Sequence, residues 1–354
     1  MKPCNYRIGL IGYFAVGKSK SGGQEAKTCA VARALLSKYS RRDMLKIDTG
    51  NWKQTPFKFF CKVIRLIYKC HTIIIFPAQK SVRIFAPLLV LLGKPFGRKL
   101  HYVVIGGWLP EMTKNKKWLA YFLKKFNGIY VETSSMKSTL EEQGFKNIFI
   151  MPNFKDLPIL TDKELVYTTK KPFAFCTFSR VMKEKGIEDA IDVINKLNEQ
   201  AKHTIATLDI YGKIDDNYKG RFNKLKDSFP PYIKYKGIIP PNKSVEILKN
   251  YFALLFPTYY PTEGIPGTLI DAYCAGVPVI TALWKNYKDV FTENKTGWSF
   301  ELGNKNALLK CVEKAVMQYE AFNEIKPLCL QEAKKYMPKQ AIQILMQKLE
   351  GCKA

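Results

Sequence analysis

An alternation of strand and helix that runs through this chain twice constrains its fold more than any other feature. In the first half, short apolar runs at 6–12, 44–47, 72–76, 100–105, 128–131 and 148–151 read as strands. Helical spacing of apolar residues separates them at 24–39, 56–69, 82–92, 116–125 and 135–143. The second half repeats the scheme, with strands at 173–178, 207–211, 233–236, 253–256, 278–281 and 297–300. Its helices are expected at 186–199, 244–250, 269–275 and 305–321. A strand that always returns through a helix builds a parallel sheet covered on both faces. The fold class predicted is therefore α/β: two Rossmann-like, doubly wound parallel-sheet domains facing across a cleft. A Pro-, Thr- and Lys-rich stretch near 155–172, without periodicity, marks the boundary, giving domains of 1–160 and 161–337.

The 354 residues suffice for two such domains. The first residues are too polar for a signal peptide, and no apolar run reaches the roughly 18 residues a membrane span needs. A cytoplasmic protein is expected. Nine scattered cysteines without a Cys-x-x-Cys pair suggest reduced thiols, not disulfides or structural zinc. The net charge of +27 is uneven: residues 1–165 hold 29 Lys+Arg against 10 Asp+Glu, and residues 166–354 hold 28 against 20. A basic first half suits an anionic partner, whether membrane surface, nucleic acid or phosphorylated acceptor; a merely solubilising lysine-rich surface is the plain alternative.

Two segments carry chemistry. Gly12-Tyr13-Phe14-Ala15-Val16-Gly17-Lys18-Ser19 fits the phosphate-binding P-loop pattern after a predicted strand. The residues that follow, Lys20-Ser21-Gly22-Gly23, are poor helix formers, so the helix is expected to start only after Gly23. The other reading is a long loop whose Gly22 and Gly23 let backbone approach a ligand at a helix N-terminus. The more informative segment is Glu263-Gly264-Ile265-Pro266-Gly267-Thr268-Leu269-Ile270-Asp271. It places an acid in a loop, backbone amides at a helix start, and a second acid within the helix. A carboxylate that grips hydroxyls beside an N-terminus that grips phosphate suits a sugar linked to a diphosphate. Upstream, Arg180 ends a strand and Lys185-Gly186 precedes a helix. Cations placed there stabilise the charge that grows on a departing phosphate. No carboxylates are spaced as obvious Mg²⁺ ligands, so no metal or other cofactor is expected.

These segments resemble those of the retaining glycosyltransferases called group 1 or family 4, which have the GT-B fold. Val131-Glu132-Thr133-Ser134-Ser135, Met151-Pro152-Asn153-Phe154, Phe178-Ser179-Arg180, Lys185-Gly186 and Leu208-Asp209-Ile210-Tyr211-Gly212 are similar to family motifs, as is the Glu263 segment. The resemblance implies that Arg180 and Lys185 bind the donor diphosphate and that Glu263, first acid of a Glu-x7-Glu motif, holds sugar hydroxyls. It implies that backbone at 264–268 lines sugar and phosphate, that the second acid meets the ribose, and that Gly22 and Gly23 lie near donor phosphate and acceptor. It also implies a last helix at 338–354 that crosses back to the first domain. The chain departs from the pattern in having Asp271 as the second acid, and in lacking a histidine after the fourth strand, where Ile105-Gly106-Gly107-Trp108 stands.

The expected function is a retaining, metal-independent glycosyltransferase. It moves a sugar from a nucleotide-sugar donor, UDP-linked by frequency among relatives, to a glycan or lipid-linked glycan. By analogy this serves bacterial surface polysaccharide such as capsule or O-antigen. Trp108 and Glu111, in the loop after the fourth strand, are the candidate acceptor contacts. Lys58, Lys62, Arg65 and Lys69 share one helix face, which suits peripheral attachment to the anionic inner face of the plasma membrane. Three alternatives stand: a basic nucleic-acid-binding protein, for which no recognisable motif exists; a P-loop kinase-like enzyme using Gly12–Ser19; and a catalytically dead sugar-binding relative.

Overall fold

The structure is a computed structural model that describes residues 6–14, 23–50, 52 and 54–351. It divides into two units, one made of the chain up to Lys155 together with the chain from Pro338 onward, the other spanning Asp156–Met337.

The first unit has six strands, β1 (Tyr6–Gly12), β2 (Met44–Asp48), β3 (Cys70–Ile75), β4 (Lys99–Val103), β5 (Gly128–Val131) and β6 (Ile148–Ile150). They pair in the order β2-β1-β3-β4-β5-β6, every described pairing being parallel. Successive side chains of a strand point to opposite faces. Thus Leu10, Ile74, Val103 and Tyr130 pack on one face. The helices there are α1 (Gly23–Leu35) and the C-terminal α14 (Pro338–Ala341) and α15 (Gln343–Glu350), which contribute Val31, Ala341 and Leu345. Ile11, Ile75, Tyr102 and Val131 point to the other face. That face is covered by α2 (Pro56–Lys69), α3 (Val82–Gly93), α4 (Leu109–Asn115), α5 (Lys117–Leu123) and α6 (Ser134–Glu142).

The second unit has strands β7 (Phe173–Phe178), β8 (Ala206–Tyr211), β9 (Ile233–Gly237), β10 (Ala253–Phe256), β11 (Val279–Ala282) and β12 (Gly297–Phe300), again parallel, in the order β12-β11-β10-β7-β8-β9. Its helices are α7 (Ile187–Ala201), α8 (Lys219–Asp227), α9 (Ser244–Leu248), α10 (Gly267–Cys274), α11 (Lys305–Met317), α12 (Tyr319–Asn323) and α13 (Lys326–Ala333).

All twelve predicted strands are present, with ends displaced by at most two residues. Three helices were not predicted: α4, α8 and α13. Each is too short to repeat an apolar period clearly. In α8 Phe222 is the one buried residue, and in α13 the buried set includes the charged Lys326 and Glu332. The single helix expected over 305–321 is divided at Gln318. Cys29, Cys61, Cys70, Cys176, Cys274, Cys311 and Cys329 are free thiols. Among the described residues, no helix is long and apolar enough to cross a membrane.

Candidate active site

The C-terminal ends of adjacent parallel strands are where an open α/β sheet binds ligands. In the second unit β7 and β10 are such neighbours, and the chain beyond each carries predicted site residues. Two glycines seat these segments. Gly186 follows the turn Lys183–Lys185 with φ +68°, and a Cβ there would overlap the carbonyl of Pro257. Glycine adopts this conformation without strain, and only a residue without a Cβ permits this approach. Gly212 does the same beyond β8, where a Cβ at φ +133° would overlap the carbonyl of Ser179. The Arg180 and Lys185 segments are thereby pressed against the neighbouring strand ends. Tyr259 N–H donates to Glu184 O at 2.7 Å and ties the 183–186 turn to the loop after β10.

That loop brings Glu263 to Lys185. The ammonium of Lys185 pairs with Glu263 Oε2, with both side chains nearly nine-tenths buried. The ammonium also lies 5.5 Å from the centroid of Phe256 and 4.8 Å from that of Tyr260. Aromatic faces attract a cation and shape the space it occupies. The Thr258 hydroxyl is 3.4 Å from Glu263 Oε2 and equally far from Glu184 O. Asn286 Nδ2 donates to the backbone carbonyl of Glu263 at 2.6 Å. The acid is thus held at its main chain by Asn286 and at its carboxylate by Lys185. Sequence reading gave these two residues separate duties, phosphate for one and sugar for the other; the structure couples them. It passed over Thr258, Tyr260 and Asn286. Asn286 lies 23 residues along the chain from Glu263, in a loop with no periodic signal.

Immediately after Glu263, Gly264, Ile265 and Pro266 are buried, and Pro266 precedes the first turn of α10. The first amides of a helix have no partner within it, and their dipole favours an anion. Gly267 opens that turn, and the Thr268 hydroxyl beside it is buried without a hydrogen-bond partner among the described residues. A buried polar atom left unpaired asks for a ligand or water. Arg180 is half exposed and, among the described residues, makes only a loose pair, Nη1 to Asp215 Oδ2 at 3.6 Å, so its guanidinium is open to a ligand. Asp271, the second acid, is 1% exposed in the middle of α10, and its Oδ1 accepts from the Ser244 hydroxyl at 2.7 Å. Its carboxylate therefore faces protein, not solvent, in this structure.

Of the residues predicted in the first unit, Gly22 and the Gly17-Lys18-Ser19 turn lie outside the described residues, while Gly23 is the first residue of α1. Trp108 and Glu111 were expected in a loop. The structure instead places Trp108 at the start of α4 and exposed Glu111 in its first turn, because Pro110 has the fixed φ that favours a helix's opening position. Trp108 is 8% exposed and donates its indole N–H to Ile105 O at 2.7 Å, so it braces the turn after β4. A pair that sequence reading did not single out lies beside that turn. Lys27 Nζ is 2.6 Å from Glu132 Oε1 and 3.2 Å from Val104 O, and Gly106 N–H donates to the same carboxylate oxygen at 3.3 Å. Both side chains are almost fully buried, and burial lowers the Lys27 pKa below its ordinary value, against the opposing pull of Glu132.

The comparison with curated protein sequences gives no match. Residues 162–327 match the model of the family described as glycosyl transferases group 1. Among solved structures, Anabaena Alr3699/HepE in complex with UDP and glucose is similar over 98% of this chain and 100% of its own, with a TM-score of 0.75 and 14% identity. Sucrose-phosphate synthase from Thermosynechococcus elongatus is similar over 98% of both chains, with a TM-score of 0.74 and 14% identity. The pneumococcal O-GlcNAc transferase GtfA, in complex with UDP and GlcNAc, aligns with 83% of this chain and 59% of its own at a TM-score of 0.66 and 17% identity. Residues 162–327 are therefore similar to the group 1 glycosyl transferases, and the chain that carries them has the GT-B fold.

Proposed function

We propose that this glycosyltransferase takes its sugar from a UDP-sugar, transfers it with retention of anomeric configuration and needs no metal ion. The observation that carries the reading is the Lys185–Glu263 pair beside the first turn of α10, inside the matched segment. In this reading the first turn of α10, with the Thr268 hydroxyl, receives the diphosphate; Lys185 and Arg180 complete its neutralisation. Negative charge grows on the diphosphate as the glycosidic bond breaks, so preplaced cations and amides stabilise the transition state more than the ground state. They supply the charge that a divalent ion supplies elsewhere. The Glu263 carboxylate accepts from sugar hydroxyls and fixes the hexose over the leaving group. The leaving phosphate itself takes the acceptor's proton, so an enzyme base is not required. UDP and sugar bound to structural neighbours support the choice of donor. A glycan or lipid-linked glycan is the proposed acceptor, in the making of a bacterial surface polysaccharide.

The test is UDP release from a panel of UDP-sugars by the purified protein, with and without EDTA, and with Glu263→Ala beside it. Turnover of one donor that survives EDTA and falls at least a hundredfold in the variant is the expected result. Activity that disappears with EDTA and returns with Mg²⁺ overturns metal independence. Anomeric configuration of the product, read by NMR, tests retention separately.

A further inference from the structure

From Thr49 to Val131 the chain carries 15 Lys and Arg and a single acid, Glu111. This run supplies α2, α3 and α5, which lie on the same face of the first sheet; α2 packs on α3 and α3 on α5. Their inner sides are accounted for by the core, through Phe59, Val63, Phe85, Leu89 and Leu119. Their outer sides are not what a merely solubilising surface presents. Phe57 is 80% exposed and Leu91 63%, and Tyr121 and Trp118 on α5 are 59% and 47% exposed. Phe60 of α2 is 39% exposed as well. Lys58, Lys62 and Arg65 stand exposed among them on α2, as do Arg83 on α3 and Lys117 on α5; Lys69 is half-buried.

We propose that the outer side of α2, α3 and α5 is one docking surface for an anionic phospholipid bilayer. Charge complementarity selects the occupant. A face that alternates cations with large apolar side chains and carries no carboxylate matches a negative headgroup layer over hydrocarbon. Aromatic rings favour that boundary, where one edge is wet and the other apolar. Nucleic acid is the less suitable occupant: Leu91 and Ile84 offer it nothing to stack on, and the cations are spread over three helices without a recognisable binding motif. The proposal goes beyond the donor chemistry and does not depend on it, since none of these residues belongs to the second unit.

The experiment is co-sedimentation of the full chain with vesicles of phosphatidylcholine alone or with phosphatidylglycerol. Binding is expected only with the anionic lipid, and it weakens steeply as NaCl rises. Lys58→Gln/Lys62→Gln/Arg65→Gln should lower the partition coefficient at least tenfold. Phe57→Ser/Trp118→Ser should lower it severalfold at unchanged charge. Melting temperature and UDP-sugar hydrolysis should stay as in the parent, so failure here leaves the donor reading intact. Equal binding to neutral vesicles, binding unaffected by either variant, or tighter binding of a random single-stranded oligonucleotide at the same salt each overturns the proposal.

Discussion

At the scale of single residues, two buried charge pairs have different consequences. In the proposed reading Lys185–Glu263 is half of a ligand site, so removing either side chain should cost turnover more than stability. We expect Lys185→Ala to lower kcat/KM for the donor by roughly 10²–10³-fold, as loss of one preorganised charge donor does elsewhere, with little change in melting temperature. Lys27–Glu132 has no solvent to fall back on. Glu132→Leu strands a buried ammonium and should destabilise by roughly 3–5 kcal/mol in urea unfolding, whereas Lys27→Met/Glu132→Leu should recover most of that loss. His101 gives a pH signature. It is 1% exposed, its Nδ1 lies 3.0 Å from Tyr130 Oη, and burial, aided by Lys94 and Lys99, lowers its pKa to about 4. The folded state thus keeps it neutral while the unfolded chain protonates it below its ordinary value of 6.5. Its stabilising contribution is complete above pH 6.5 and is lost as pH falls toward 4, a loss of about 3 kcal/mol. Stability of His101→Gln should therefore decline less between pH 7 and 4.5 than that of the parent.

At the scale of elements, function depends on where turns are pinned. Lys185 reaches Glu263 because the turn before α7 is seated on Pro257, and that contact is possible only with glycine at 186. Gly186→Ala should displace the turn, raise the donor KM and lower the melting temperature. Gly220 makes the control. It lies inside α8 with open space where a Cβ would go, so Gly220→Ala should stabilise by about 1 kcal/mol and leave kinetics unchanged. The strands were legible because apolar runs bounded by turns carry their own signal. The helices α4, α8 and α13 were not, because a helix of two turns held by a few contacts has no period to read. This is also why Glu111 was expected in a loop.

At the scale of the whole molecule, the first sheet gains its C-terminal cover from the far end of the chain. Leu345 of α15 is fully buried with Leu10, Ile74 and Val103. Leu345→Asp should therefore destabilise the first unit by more than about 3 kcal/mol, and proteolysis should cut there before it cuts the second unit. The sequence by itself determined the two parallel α/β sheets, the loop position of Glu263, the helix start beside it and the basic character of the first half. Each is written in local periodicity, turn chemistry or composition, which act over a few residues. Only the tertiary structure decided that Lys185 and Glu263 pair, that Asn286 holds the acid and that Asp271 turns to Ser244. Those contacts join residues far apart in sequence, and they are set by which strand ends lie side by side and how closely two glycines let the chain approach them.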